Sequence, residues 1–254
     1  MNAILRFSLV NGVLFLFVTG SALRALIFRD KKANRSFFIW WQQICSSWII
    51  RIFGIKILSH ERERILDEKG NFLIVCNHQT YVDILVLATL KPCVFVANAD
   101  IKKSLILGAV TKSGGAVFVE RKGKKELVRD IKKIADVLSQ GFNVVIFPEG
   151  TTSDGVTLLP FKTPLLKAAS DAGKDVFPLC IVYRSAGKRR KPEDIIYHSR
   201  QGFFSHLFSF VKLDDITADV RFLEKIRVHP GMKRKEISEK AYHVISEIFN
   251  KEDS

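Results

Sequence analysis

The sequence predicts an α/β fold: a central, mostly parallel sheet flanked by helices, preceded by an N-terminal helical segment that anchors it to a membrane. Three observations predict it. From about Leu58 onward, short apolar runs alternate with amphipathic stretches. Residues 7–23 form an uncharged, mostly apolar stretch, and a second apolar segment rich in aromatics follows at 37–50.

The stretch at 7–23 lies at the short end of what crosses a hydrocarbon core, about 17–25 residues. A basic run follows it, Arg29-Asp30-Lys31-Lys32-Ala33-Asn34-Arg35. The second segment carries Trp40, Trp41 and Trp48, side chains that suit a membrane–water interface, and is interrupted by Gln42 and Gln43. A cleaved signal peptide fits poorly, because nothing downstream looks secreted. A single span with the remainder cytoplasmic and a helical hairpin lying in one leaflet both fit, and the sequence leaves the two open.

Within the following domain, strands are expected at 72–76, 93–97, 116–119, 144–147 and 176–183. Helices are expected between them at 83–90, 102–112, 125–139 and 165–172. The third is the clearest, with Leu127, Ile131, Ile134 and Leu138 at helical spacing among charges. Such alternation of strand and helix builds a parallel sheet. An alternating run at 218–228 reads as an edge strand, and 237–249 as a closing amphipathic helix. The organisation is therefore an anchoring segment over 1–57 and one globular domain over 58–254.

The 254 residues are 47% hydrophobic and 26% charged, which excludes a disordered chain and a wholly intramembrane one. The formal net charge of +14 calls for an anionic partner. Nucleic acid is disfavoured: its binding predicts basic residues interleaved with aromatics in a groove, whereas the dense aromatics here sit in the N-terminal segment beside a basic loop. Anionic lipid fits instead. Cys45, Cys76, Cys93 and Cys180 show no metal-type spacing and read as buried thiols of a reducing cytosol. No metal-ligand cluster is evident.

Chemistry concentrates in two segments that each follow an apolar strand. In Asn77-His78-Gln79-Thr80-Tyr81-Val82-Asp83, the histidine falls in the turn and the aspartate at the start of a helix. Strand ends that open into helices are where α/β folds place sites. A carboxylate folded back on the imidazole would fix its tautomer and stabilise the imidazolium formed on proton uptake. That spacing taken alone favours a satisfied structural histidine beside an N-capping aspartate over a catalytic pair, and the second segment shifts the balance. The second segment, Phe147-Pro148-Glu149-Gly150-Thr151-Thr152-Ser153, holds an acid, a glycine and three hydroxyls at another strand end, on the same edge if the sheet is parallel. Between them, Phe118-Val119-Glu120-Arg121 leads into Lys122, Lys124 and Lys125, and a guanidinium there can grip a phosphate bidentately.

Taken together, these blocks resemble the 1-acyl-sn-glycerol-3-phosphate acyltransferase (lysophosphatidic acid acyltransferase) family. Its Asn-His-x4-Asp block is matched at Asn77, His78 and Asp83. Its apolar run ending in an acid and arginine is matched at 118–121, with Glu120 where aspartate is usual. Its Phe-Pro-Glu-Gly-Thr block is matched at 147–151, and its proline-containing apolar block at Val176-Phe177-Pro178-Leu179. The resemblance covers roughly 58–185. It implies a glycerol-3-phosphate-acyltransferase-like fold and an acyltransferase catalytic domain over 58–254. It further implies that His78 deprotonates the acceptor hydroxyl with Asp83 orienting it, and that Asn77, Arg121, Glu149, Gly150 and Thr151 bind or shape the substrate site. The donor implied is acyl-CoA or acyl-carrier protein, the partner a membrane lysolipid, and neither a metal nor another cofactor. The N-terminal apolar segments and the basic run between them place the domain at the cytoplasmic face of the inner or plasma membrane. One position departs: relatives acting on lysophosphatidic acid often carry Arg where this chain has Thr152, and the block at 147–155 is also similar to acyltransferases of lyso-ornithine lipid. A lipid-binding scaffold without turnover is the non-enzymatic alternative, disfavoured by the intact His78 and Asp83.

Overall fold

The computed structural model describes residues 1–120, 123–185, 195–197, 202–229 and 231–251. Two long helices, α1 (Ala3–Ile27) and α2 (Lys31–Phe53), form a hairpin turned at Asp30. The Asp30 carboxylate accepts hydrogen bonds from the Lys32 and Ala33 amides and so starts α2, while Gly54, at φ 71°, ends it in the left-handed conformation that a Cβ disfavours. The apolar stretches read from sequence lie within these helices, which run longer at both ends because capping, not hydropathy, sets their limits.

The remaining elements follow as β1 (Lys56–His60), α3 (Glu63–Leu66), β2 (Leu73–Cys76), α4 (Val82–Leu90) and β3 (Val94–Asn98). A 3-10 turn then leads into α5 (Leu105–Ser113), β4 (Val117–Val119), α6 (Lys124–Ser139) and β5 (Val144–Ile146). A second 3-10 turn precedes α7 (Lys167–Ala172), β6 (Val176–Ser185), α8 (Phe203–Phe210), β7 (Ile216–Phe222) and α9 (Arg234–Lys251). The seven strands lie in the order β1-β7-β6-β2-β5-β3-β4. Every pairing is parallel except β6 with β7. The α/β class and the mostly parallel sheet are as the sequence predicts.

Two expectations change. The run at 218–228 is not an edge: β7 sits inside, antiparallel to β6, and β1 takes the edge. Strand β1 escapes sequence reading because Lys56-Ile57-Leu58-Ser59-His60 is mostly exposed and carries no buried alternation. The helix expected at 102–112 is a 3-10 turn (Ala99–Lys103) followed by α5, whose start is capped by the Ser104 hydroxyl accepting from the Leu107 amide.

Core packing joins the hairpin to the sheet. Val10, Val13 and Phe17 of α1 and Ile49 and Phe53 of α2 share one apolar cluster with Val82 and Val86 of α4 and with the strands beneath. The opposite face of α1 presents Ile4, Leu5, Leu9, Phe15, Leu16, Leu23 and Leu26 to the surroundings. A second cluster on the far face of the sheet is closed by α6, α7 and α9. The hairpin therefore walls one side of the domain. Since β2 and β5 are adjacent and parallel, the loops after both open on one edge.

Candidate active site

At that edge β2 ends in Cys76 and releases Asn77 and His78, and α4 begins at Val82, so that Asp83 lies in its first turn. His78 Nδ1 is 2.8 Å from Asp83 Oδ2. The same oxygen accepts from the Gln79 and Thr80 amides at 2.7 and 3.0 Å, and Oδ1 accepts from the Tyr183 hydroxyl at 2.7 Å. Asp83 is fully buried, and a buried carboxylate is tolerated because four donors replace its water. Burial, then the Asp83 charge, push the Tyr183 phenol well above its usual range, so it remains a proton donor to Asp83. With Nδ1–H given to the carboxylate, His78 presents Nε2 as a free acceptor. The histidine is partly exposed, and its ring stacks on Phe147 at 4.0 Å between centroids.

The loop after β5 fixes the histidine's backbone. The His78 amide donates to Glu149 Oε1 at 2.6 Å, and its carbonyl accepts from the Ser153 amide at 2.7 Å. Glu149 Oε2 accepts from the Leu159 amide at 3.0 Å. Burial raises the Glu149 carboxyl to about 7, against the opposing pull of its two backbone donors. Gly150 holds φ at 75°, a conformation that needs glycine, and closes the turn onto the Phe147 carbonyl.

The residues expected at the site divide on this geometry. His78 and Asp83 are brought together, with Gly150 and Thr151 beside them in the cavity wall. Asn77 is corrected: its side chain is fully buried and its amide bonds both N–H and C=O of Ile181, each at 2.8 Å. It therefore ties β2 to β6 and cannot touch substrate. Glu149 is buried with both oxygens on backbone amides, so it shapes the site through His78 instead of meeting a ligand. The Thr152 hydroxyl donates to the Tyr197 carbonyl at 2.7 Å. Arg121, with Lys122, lies outside the described residues. Among the described residues no group of three metal-ligating side chains occurs. Tyr183 and Phe147 support the dyad, and neither was singled out for that role by sequence. Tyr183 lies 100 positions from Asp83, a pairing that one sequence does not show.

His78 faces a cavity of about 340 Å³. Its walls are largely apolar: Val10, Leu14 and Phe17 from α1, Ile49 and Phe53 from α2, Ile84 and Leu85 from α4, and Phe95 and Val96 from β3. Tyr81, Tyr197 and Phe203 close one side. A histidine–aspartate pair whose histidine lines a largely apolar chamber suits a ligand with a reactive polar end and a hydrocarbon body.

Comparison with known proteins agrees with this reading. The family model described as Acyltransferase matches residues 56–182. A lyso-ornithine lipid O-acyltransferase of Rhizobium meliloti (strain 1021) is 33% identical over 199 residues, covering 74% of this chain and 67% of that one. A 1-acyl-sn-glycerol-3-phosphate acyltransferase of Neisseria gonorrhoeae is 31% identical over 158 residues, 62% of this chain and 61% of its own. The crystal structure of the 1-acyl-sn-glycerophosphate (LPA) acyltransferase PlsC from Thermotoga maritima superposes with a TM-score of 0.70. That match covers 98% of this chain and 96% of the other at 17% identity, which speaks for a shared fold. On the matched domain and on the Rhizobium meliloti relative, the chain belongs to the Acyltransferase family and is an acyltransferase.

Proposed function

We propose that this enzyme moves a fatty acyl group from a thioester donor, acyl-CoA or acyl-carrier protein, to the free hydroxyl of 1-acyl-sn-glycerol 3-phosphate, giving phosphatidic acid. The observation that carries the reading is the His78–Asp83 pair, with His78 in the wall of a largely apolar cavity. The acceptor oxygen bonds to the thioester carbonyl carbon while its proton passes to His78 Nε2. The tetrahedral intermediate then expels the thiolate, which takes the proton from His78. Asp83, held by Tyr183 and two backbone amides, steadies the imidazolium between the two transfers. The thioester is already activated, so this scheme calls for positioning and a base and for no metal or further cofactor.

A second acceptor, lyso-ornithine lipid, is favoured by a specific observation. The Thr152 hydroxyl is committed to the Tyr197 carbonyl, so position 152 offers a phosphate no cation and no free donor. The Rhizobium meliloti relative carries that activity in its name. The basic run 121–125 favours the phosphate instead. Activity of the purified full chain in mixed micelles on lysophosphatidic acid, lyso-ornithine lipid and lysophosphatidylglycerol decides. Turnover of lyso-ornithine lipid alone would replace the first reading with the second, and turnover of none would remove both.

The hairpin supports a place in one leaflet. One face of α1 is packed into the protein along its length, from Arg6 bonded to the Val211 and Leu213 carbonyls through Val10, Val13 and Phe17 to Gly20 against Trp41. The opposite face is free and apolar. A helix crossing the bilayer would strip that packing, whereas one lying in the interface keeps it. The basic turn at 29–35 then meets anionic head groups of the cytoplasmic leaflet.

A further inference from the structure

Helix α6 packs one face on the sheet through Ile131, Ile134 and Leu138. Its outer face carries Lys124, Lys125, Arg129 and Lys132, all exposed, with Val128 in their midst. Val128 is 67% exposed, more than any other large apolar side chain among the described residues of α6, α7 and α9. A merely solvated charged face tends to neutralise itself, and α9, on the same side of the sheet, does so: Lys235 pairs with Glu239 and Lys240 with Glu236. Helix α6 does so only in its second half. Lys132 meets Asp136 and Lys133 meets Asp130, whereas Lys124, Lys125 and Arg129 have no acidic partner among the described residues.

The topology puts this face within reach of the chemistry. Strands β2, β5, β3 and β4 are all parallel, so α6, which follows β4, begins at the edge where β2 releases His78. Three strand spacings, ~14 Å, separate β4 from β2. The basic face runs ~12 Å along the helix, from Lys124 to Lys132. That is longer than one phosphate needs, and it matches a helix laid alongside. Carboxylates of such a partner meet the cations while an apolar side chain between them meets Val128. Helix α1 packs on the other face of the sheet, so a leaflet that receives its free face is not the surface that α6 meets.

We propose that the outer face of α6 docks an acidic acyl-carrier protein, which presents the acyl thioester to His78 on its phosphopantetheine arm. The proposal rests on the acyl-transfer reading above and chooses between its two donors. The flexible arm covers the span from β4 to β2, so the carrier's body stays outside on α6 while the thioester enters the cavity. Acyl-CoA has no protein body and reaches the same cavity without covering α6. The unpaired cations steer the acidic carrier to the right edge of the sheet, and Val128 gives the contact an apolar centre.

The test measures kcat/KM with palmitoyl-acyl-carrier protein and with palmitoyl-CoA on one micellar lysolipid, for the full chain and two variants. One variant combines Arg129→Glu with Lys132→Glu, and the other is Val128→Asp. The charge reversal should lower kcat/KM for the carrier donor about tenfold or more, mainly through KM, and leave the CoA donor within about twofold. The salt dependence of the carrier reaction should flatten in the same variant. Val128→Asp should split the two donors in the same direction, and palmitoyl-CoA turnover serves as the control for folding in both. Equal losses on the two donors, or no loss on either, overturn the docking face. Loss of binding to anionic vesicles in the charge-reversed variant assigns the face to the membrane and overturns it too. Wild-type turnover of palmitoyl-CoA alone overturns the docking and leaves the acyl-transfer reading intact. Turnover of neither donor overturns both.

Discussion

Replacing Asp83 by Asn isolates the electrostatic part of the proposed mechanism, because the geometry lets the amide stay in place. Asp83 Oδ2 receives three donors, from His78, Gln79 and Thr80, whereas Oδ1 receives only the Tyr183 hydroxyl. An asparagine that keeps its oxygen under the three donors turns its NH2 toward the tyrosine, whose hydroxyl oxygen can accept. All contacts then survive, each weaker by the difference between a charged and a neutral hydrogen bond, about 1 kcal/mol. The imidazolium formed during the reaction loses a full negative charge beside it. At about 4 Å and an effective dielectric near 20 that charge is worth ~4 kcal/mol, and a transition state with part of the proton transferred feels a large share of it. The expected loss in kcat is ~10²–10³-fold. It is measured as thiol release with saturating acceptor, in a variant whose thermal midpoint shows it folded. A folded Asp83→Asn enzyme within tenfold of wild type would refute the assignment of Asp83.

Further outcomes follow from the same geometry. The Glu149 carboxyl, raised from 4.5 to about 7, binds a proton in the folded state that the unfolded chain gives up. Stability therefore falls as pH rises from about 4.5 through about 7, by ~3 kcal/mol, and is flat above. Glu149→Gln should abolish that slope in thermal midpoints taken across the range, and an unchanged slope would remove Glu149 as its source. Placing aspartate at both Phe15 and Leu16, exposed on the outer face of α1, should release the protein from anionic vesicles in a sedimentation assay, and sedimentation equal to wild type would overturn the assignment of that face. Activity on micellar acceptor should persist. Thr152→Arg should raise kcat/KM for lysophosphatidic acid over lyso-ornithine lipid about tenfold or more, the worth of a charged hydrogen bond where the wild-type hydroxyl, committed to the Tyr197 carbonyl, offers none. An unchanged ratio in that variant would show that position 152 does not read the head group.

Much of the fold was legible in the chain. Strands buried on both faces, such as Leu73–Cys76 and Val144–Ile146, read as unbroken apolar runs, and α6 shows its buried stripe at helical spacing. Strand β1 and helix α8 were not seen. The first is nearly all exposed, and the second, Phe203–Phe210, is too short to announce its period. Of the site, the residues on two strand-end loops were legible because each loop carries its chemistry in consecutive positions. What joins the loops was not. The bonds from Asn77 to Ile181 and from Tyr183 to Asp83 span 104 and 100 positions. Pairing at such separation leaves no local pattern, which is why Asn77 reads as a ligand group when it is a strut. The same holds for the hairpin. Hydropathy marks it as an anchor, but only packing shows that Ile49 and Phe53 belong to the cavity wall, so cutting the chain before β1 would expose core as well as detach the protein.

The most direct test of the account is the turnover of His78→Ala with long-chain acyl-CoA and lysophosphatidic acid or lyso-ornithine lipid, whichever the wild type uses. His78 is partly exposed and contributes one ring face to Phe147, so its loss should leave the fold standing. With the base removed, kcat should fall at least ~100-fold while thermal unfolding stays cooperative and binding of the acyl donor survives. A folded His78→Ala protein that still transfers acyl groups within a few-fold of the wild-type rate would contradict the account at its centre.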